Sequence, residues 1–438
     1  MKRHLIGIGG VGMSALATAL VRLGDEVTGA DRTLGTPNIK FLESLGVKVY
    51  PDDGSGVDSS TDEVIVSTAI EETNAGLIKA KEIGIPVTHR AKALSRTLKD
   101  YKLVAVVGTC GKSTVTAMLG HVLAECGLDP MCVNGANVPG WEGAVRFGKG
   151  EYAVAEVDES DKSLVAFKPY AAIVTNASAD HYSKEEMDEV FDAFIKDCQG
   201  PVIDGRGHLE SIESLETLEV PVPGQHNRQN AEMAVRMAVA LGVAPDRANA
   251  TMKTFRGVER RLQLISQPLP SSPFPLPFSV YDDYAHNPEK LKAMWTTLAE
   301  KHSEGICVIW RPHGYAPLRK MMDALGAMFA ETVRPQDKLL LLPVYDAGGT
   351  TDRSVNSDAL VAKIESLGSS GPIGFLGPSG STSSTSTLTL SDTKVTLVPD
   401  LDAAYAWCAA HKGDYAAFVT CGARDPGLPL LAKRLSEM

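Results

Sequence analysis

Residues 102–114 read Lys-Leu-Val-Ala-Val-Val-Gly-Thr-Cys-Gly-Lys-Ser-Thr, and this stretch decides the fold. Lys102–Val107 is a β-branched strand run, Gly108–Ser113 a glycine-rich turn, and Ser113–Cys126 a helical pattern. A strand that passes through such a turn into a helix presents unpaired N–H groups and the positive end of the helix dipole to an anion. Glycine lets the backbone come close to a phosphate, Lys112 has the reach for β- and γ-phosphates, and the Ser113 hydroxyl suits Mg²⁺. The strict pattern G-x-x-x-x-G-K-[ST] is broken, because Val106 stands where its first glycine belongs. The assignment as a phosphate turn therefore rests on the strand–turn–helix setting.

On the N-terminal side the same alternation repeats. His4–Ile8 reads as a strand, followed by Gly7-Ile8-Gly9-Gly10-Val11-Gly12 and a helix through Leu23. Strands follow at Glu26–Ala30, Val47–Tyr50 and Glu63–Ser67, with helices at Phe41–Leu45 and Asn74–Ile83. This order predicts parallel βαβ units. The first turn satisfies G-x-G-x-x-G with Asp31 closing the next strand, a fingerprint for a dinucleotide or another nucleotide diphosphate, or for tight helix–strand packing alone.

On the C-terminal side, strands are expected at Tyr152–Val157 and Ala171–Thr175 and helices at Glu185–Asp197 and Gln229–Leu241. Glu156-Val157-Asp158-Glu159-Ser160-Asp161 closes the first of these strands, where an acidic side chain beside a phosphate turn supports Mg²⁺; Asp161 reads better as solvated. Asp180-His181 follows the second strand. The run QPLPSSPFPLPF at Gln267–Phe278 is too proline-rich for a helix and reads as a linker or surface loop. A third α/β unit follows from Val280, with strands at Ile306–Trp310, Lys338–Pro343, Lys394–Val398 and Ala416–Thr420. Ser369–Leu390, rich in Ser, Thr and Gly, reads as a surface insertion.

The chain has 438 residues, enough for about three domains. Its 44% apolar and 22% charged residues are those of a globular protein. A net charge of −11 argues against non-specific binding to nucleic acid or anionic membranes. No apolar run is long enough to span a bilayer. Met1-Lys2-Arg3 before Leu5–Leu20 imitates an export signal, but four glycines at 7, 9, 10 and 12 interrupt it. Seven cysteines without a Cys-x-x-Cys pair fit a reducing cytoplasm without structural disulfides or zinc.

Taken together, the motifs resemble the Mur ligase family, and within it the alanine-adding branch. The resemblance covers nearly the whole chain. It rests on GIGGVGMSALA (Gly7–Ala17), VIVSTAI and Asn74 (from Val64), PVTHRAKAL (Pro86–Leu94), GTCGKST (Gly108–Thr114), AEVDESD (Ala155–Asp161), VTN with Asp180-His181 (from Val174), PGQHNRQNA (Pro223–Ala231), GVERRLQ (Gly257–Gln263), DDYAHNP (Asp282–Pro288) and RPHGY (Arg311–Tyr315).

The resemblance implies three α/β domains. Residues 1–99 would be a Rossmann-like module for a UDP-sugar, 100–257 a central P-loop ATPase-like module, and 258–438 a Rossmann-like module for the amino acid. It implies ATP-driven amide formation in peptidoglycan precursor synthesis: the carboxylate of a UDP-N-acetylmuramoyl substrate takes the γ-phosphoryl group, and an amino acid, L-alanine in this branch, attacks the acyl phosphate. ATP and Mg²⁺ are then required. Gly9, Gly10, Gly12, Asp31 and Ser67 would hold the UDP-sugar. Gly108, Thr109, Gly111, Lys112, Ser113 and Thr114 would hold the triphosphate, with Asn230 on the adenine side, Arg261 on the phosphates and Asp283 on the ribose. Lys112, Glu156 and His181 would be catalytic, with Ser113, Glu156 and His181 as metal ligands. Arg261, Asn230 and Asp283 also admit plainer readings as a surface arginine, a helix-packing residue and a turn residue. The chain departs from the branch at Cys110 and Ser113, where His and Thr are usual. It departs further at Gly314 and Pro317, where arginines usually face the amino-acid carboxylate, a bidentate role neither residue can take. A ligase for a peptide or another amine, or an ATP-binding protein without ligase activity, are the alternatives. An NAD-dependent oxidoreductase would leave the second turn, Glu156 and His181 without a purpose.

Overall fold

A computed structural model of the chain describes residues 1–158, 163–177, 184–207, 217–267, 277–346, 352–367, 374–375 and 394–438. The expected His181 and Asp161, and nearly all of the 369–390 insertion, lie outside these residues. The architecture is three-domain α/β, with three parallel-rich sheets. The chain divides into two compact units, one of Met1–Val222 with His226–Val258, the other of Pro223–Gln225 with Glu259–Met438.

The first unit holds two sheets. In the first, β1 (Lys2–Ile6), β2 (Glu26–Asp31), β3 (Lys48–Pro51), β4 (Glu63–Val66) and β5 (Val87–His89) lie in the order β3-β2-β1-β4-β5, all parallel. Its helices are α1 (Val11–Arg22), α2 (Pro37–Ser44), α3 (Ala75–Glu82) and α4 (Arg90–Thr97). Thr36 and Asn74 cap α2 and α3 with side-chain oxygens, as N-cap residues do.

The second sheet consists of β6 (Lys102–Val107), β7 (Met131–Val133), β8 (Val145–Arg146), β9 (Tyr152–Glu156), β10 (Ala171–Val174) and β11 (Val202–Asp204). Its order is β11-β10-β6-β9-β7-β8, parallel except for β8. Around it are α5 (Lys112–Glu125), α6 (Lys184–Ile195), α7 (Gln225–Ala240) and α8 (Pro245–Met252).

One apolar core runs through both sheets. Leu16 and Leu20 of α1 and Ala91 and Leu94 of α4 are buried together with Val107, Val133, Val145 and Phe167 of the central part. The Arg22 guanidinium donates to both Glu142 carboxylate oxygens at 2.7 and 2.8 Å, and Ser95 Oγ donates to the Ala166 carbonyl at 2.6 Å.

The second unit is one sheet of β12 (Gln263–Ser266), β13 (Ser279–Asp283), β14 (Ile306–Trp310), β15 (Lys338–Leu341), β16 (Gly374–Phe375), β17 (Val395–Leu397) and β18 (Ala417–Cys421). The order is β12-β13-β18-β14-β15-β17-β16, and only β12 is antiparallel. Its helices are α9 (Pro288–Lys301), α10 (Tyr315–Thr332), α11 (Ser357–Ser366), α12 (Leu401–Ala410) and α13 (Gly427–Leu435). Among the described residues no helix is long and apolar enough to cross a membrane.

Expected elements shift at their boundaries, and the helix expected at Phe41–Leu45 already begins at Pro37 behind its Thr36 cap. The first strand is Lys2–Ile6 and not His4–Ile8, because Gly7 turns the chain at φ +75°. Arg3 is tolerated inside because Glu63 accepts from its Nε at 3.0 Å. The helix expected from Gln229 begins at Gln225; its polar start hid the first turn, although Asn227 and Asn230 face the interior.

Gly29 on β2 shows how close the first sheet is packed. A Cβ there would collide with the Ile8 side chain and sit 2.8 Å from the Leu5 carbonyl oxygen. Gly29→Ala is therefore expected to destabilise the first unit by about 1–3 kcal/mol. Calorimetry should show a lowered thermal midpoint; an unchanged one would contradict the packing.

Candidate functional site

The first glycine turn is built by backbone bonds and one carboxylate. Gly7 N and Ile8 N both donate to the Ala30 carbonyl, at 2.8 and 3.1 Å. Asp31 accepts from Gly9 N at 2.8 Å through one oxygen and from Thr33 N at 3.0 Å through the other. Asn38 Nδ2 donates to the Gly9 carbonyl at 2.9 Å. Asp31 thus grips the turn through both of its oxygens. Gly10 and Gly12 lie where α1 begins, and Ser67 follows β4 on the neighbouring strand.

Sequence reasoning did not single out Arg90, which stands beside the first turn. It opens α4 immediately after β5, and its Nη1 lies 3.1 Å from where a Gly12 Cβ would be. It makes no hydrogen bond or ion pair among the described residues. A half-buried guanidinium beside the first turn of α1 adds a full charge to the helix dipole at an anion-binding position. The available signal was its place one residue past a strand end, within PVTHRAKAL.

The second turn is held by β10's continuation. Asn176 is bonded on both sides of Cys110: its Oδ1 accepts from Cys110 N and its Nδ2 donates to the Cys110 carbonyl, each at 2.9 Å. Thr175 Oγ1 donates to the same carbonyl at 2.6 Å, and Thr109 N donates to the Asn176 carbonyl at 3.3 Å. Gly108 has φ +127°; a Cβ there would strike Thr175 Oγ1 and lie 2.9 Å from the Asn176 carbonyl oxygen. Gly111, at φ +86°, would place a Cβ 2.6 Å from Asn230 Oδ1. Asn230 therefore packs directly on the turn, and Asn176 and Thr175, not chosen from sequence, clamp it.

Lys112 starts α5, and its Nζ donates to the Gly108 carbonyl at 2.6 Å, so the ammonium is folded over the turn. Ser113 and Thr114 follow, both buried. The first-turn N–H groups of this helix have no carbonyl of their own helix to donate to. Glu156 ends β9 opposite Val106 of β6, one strand over from the turn. One of its oxygens accepts from Gly135 N at 2.8 Å, and the other makes no hydrogen bond among the described residues.

In the second unit, Asp283, Cys421 and Trp310 end three neighbouring strands in register. Asp283 is buried, and its two oxygens accept from Leu262 N at 2.5 Å and Ala285 N at 2.6 Å. Burial pushes its carboxyl up, against the pull of Arg261. Its observed work is to shape the Tyr284–Asn287 turn. Burial also pushes Asp282 up to about 6, with Arg260 opposing it. Arg261 lies 4.9 Å over the Tyr284 ring, and the His286 and His313 rings meet edge to face at 4.8 Å. A cleft of about 260 Å³ opens at the same sheet edge, lined in part by Tyr315, Val344, Ser357 and Leu397.

These features define a three-domain α/β protein with one glycine-rich strand–helix turn on each sheet of its first unit. Residues 2–102 match the model of the Mur ligase family catalytic domain, and residues 260–424 that of the Mur ligase glutamate ligase domain. The UDP-N-acetylmuramate–L-alanine ligase of Sinorhizobium fredii is 30% identical over 419 residues, covering 83% of this chain and 87% of the relative. That of Gloeobacter violaceus is 31% identical over 407 residues, covering 82% and 85%. The crystal structure of UDP-N-acetylmuramate–alanine ligase from Thermotoga maritima has the same fold, with a TM-score of 0.77 and 23% identity, covering 100% of this chain and 98% of that one. The chain belongs to the Mur ligase family.

The Asn176 clamp makes a prediction. Asn176→Ala removes both side-chain bonds to Cys110 and should raise the Kd for Mg-ATP about 10–30-fold, at roughly 1 kcal/mol per bond. Isothermal titration against the parent protein checks this, and equal affinities would remove the clamp from the site.

Proposed function

We propose that this protein is an ATP-dependent carboxylate–amine ligase that joins UDP-N-acetylmuramate to L-alanine through an acyl phosphate, in the cytoplasm, as a step of peptidoglycan precursor synthesis. The observation that carries the reading is the pairing of Lys112 on a clamped glycine turn with Glu156 on the adjacent strand, in a chain 30% identical to UDP-N-acetylmuramate–L-alanine ligases. The domains go with it as 1–99, 100–257 and 258–438.

The residues present fit a Mg-nucleotide. Gly108 and Gly111 let Thr175 and Asn230 close directly on the turn and fix its backbone, and Ser113 with Glu156 offers oxygen donors of the kind Mg²⁺ takes. The physical problem is the meeting of two anions, a carboxylate and a triphosphate, so positive charge must be concentrated between them. Lys112 swings from the Gly108 carbonyl to the β- and γ-oxygens. Ser113 and Glu156 would hold Mg²⁺, and His181, which lies outside the described residues, would hold a second ion; bound Mg²⁺ would supply Lewis-acid neutralisation of the phosphoryl oxygens. Gly108, Thr109, Gly111 and Thr114 form the phosphate cradle, Asn230 braces it, and Arg261 is assigned to the phosphates. Gly9, Gly10, Gly12 and Ser67, with Arg90, receive the UDP diphosphate while Asp31 holds that turn in shape. Neither nucleic acid nor a membrane is required.

Gly314 and Pro317, standing where the alanine-adding branch usually has arginines, favour a second reading in which the same chemistry serves a different amine. One assay separates the two. Purified protein with Mg-ATP and UDP-N-acetylmuramate is incubated with each amino acid in turn, and phosphate release is measured. Release that requires both the sugar nucleotide and L-alanine is expected. Release with another amino acid alone favours the second reading, and none with any amine counts against ligation. Lys112→Ala should lower kcat by roughly 100–1000-fold, the cost of removing one transition-state charge contact, without changing the circular dichroism spectrum. Retained turnover would take the turn out of the mechanism.

A further inference from the structure

Arg424 stands apart from every other arginine of the second unit. Arg260 and Arg311 pair with Asp282 and Asp425, Arg319 and Arg353 with Asp352 and Asp346, Arg334 and Arg434 with Asp337 and Asp402. Arg261 lies on the Tyr284 ring. Arg424 is exposed and makes no hydrogen bond or ion pair among the described residues.

Its backbone is also unusual. At φ +66° it occupies the left-handed region, where a side chain is disfavoured and glycine is the cheap choice. The flanking residues hold it there. Gly422 N donates to the Asp283 carbonyl at 3.1 Å. Asp425 accepts from Arg311 Nη1 at 2.6 Å through one oxygen and from Gly427 N at 2.8 Å through the other. A strained residue that its surroundings fix in place, with an uncommitted charge at its tip, is a pattern found at ligand sites.

Position supplies the ligand. Arg424 lies three residues past Cys421, where β18 ends level with β13 and β14. Ligands of open α/β sheets bind beyond these C-terminal strand ends. An amino acid brought there carries a carboxylate next to its reacting nitrogen. Removing that carboxylate from water demands a matching cation, for which the guanidinium fork is the fitted donor. The adjacent loop after β14 offers Gly314 and Pro317, and its Arg311 is already bonded to Asp425 and to the Pro343 carbonyl at 3.1 Å.

We infer that Arg424 binds the carboxylate of the incoming amine and makes the enzyme select for it. This rests on the ligase reading above. The experiment compares L-alanine with L-alaninamide as the amine in the phosphate-release assay, for the parent protein, Arg424→Gly and Arg424→Lys. Glycine suits the left-handed backbone, so Arg424→Gly should keep or raise the thermal midpoint. The parent protein should prefer L-alanine. In Arg424→Gly the KM for L-alanine should rise about 10–100-fold, the range for losing a charge-assisted bond, and the preference over the amide should shrink by a similar factor. KM values for ATP and UDP-N-acetylmuramate should stay within about twofold, and Arg424→Lys should recover part of the loss. An unchanged KM for L-alanine, a rise shared by all three substrates, or a lowered midpoint in Arg424→Gly would overturn the assignment. Absence of L-alanine-dependent release in the parent protein would instead strike the proposed function.

Discussion

The side-chain amide of Asn176, bonded to both the N–H and the carbonyl of Cys110, is the interaction on which the central site depends. A glycine turn is flexible by composition, and flexibility is a poor property for a phosphate cradle. Catalysis by placed charge works only if the charges wait in position. Asn176 and Thr175 supply that fixity from the next strand. Because they hold residues 109 and 110, the Lys112 end of the turn is presented in a defined place.

The first turn solves the same problem differently. There the clamp is a carboxylate, Asp31, closing on the Gly9 amide, and the charge beside it is Arg90, lying on Gly12. The glycine pattern is shared with dinucleotide-binding proteins.

Much of this was legible in the sequence, for a reason that can be stated. Parallel strands buried on both faces are apolar runs, so Lys102–Val107 and Ile306–Trp310 announce themselves. Glycine at a strand–helix junction marks a turn whatever the tertiary context. The unread part is where function depends on a neighbour distant in the chain. Asn176 is an ordinary polar residue until β10 lies beside β6, and Arg90 an ordinary basic residue until β5 brings α4 to Gly12. Asp283 shows the converse, since a motif residue suited to a ribose proves to be bonded to two backbone amides. Arg424 gives no periodic or motif signal; only its φ and its lack of partners single it out.

The apolar core shared by the first two sheets has a geometric consequence. Leu20 of α1 and Val133 of the central sheet are buried in one continuous interior, and Arg22 ties the outer edge to Glu142. The span from the Gly9 turn to the Gly108 turn is therefore fixed like the jaws of a locked caliper. On the proposed reading, a donor acid anchored at one turn would have to reach the other by the length of its own linkage, so the shared interior would set which acids are long enough.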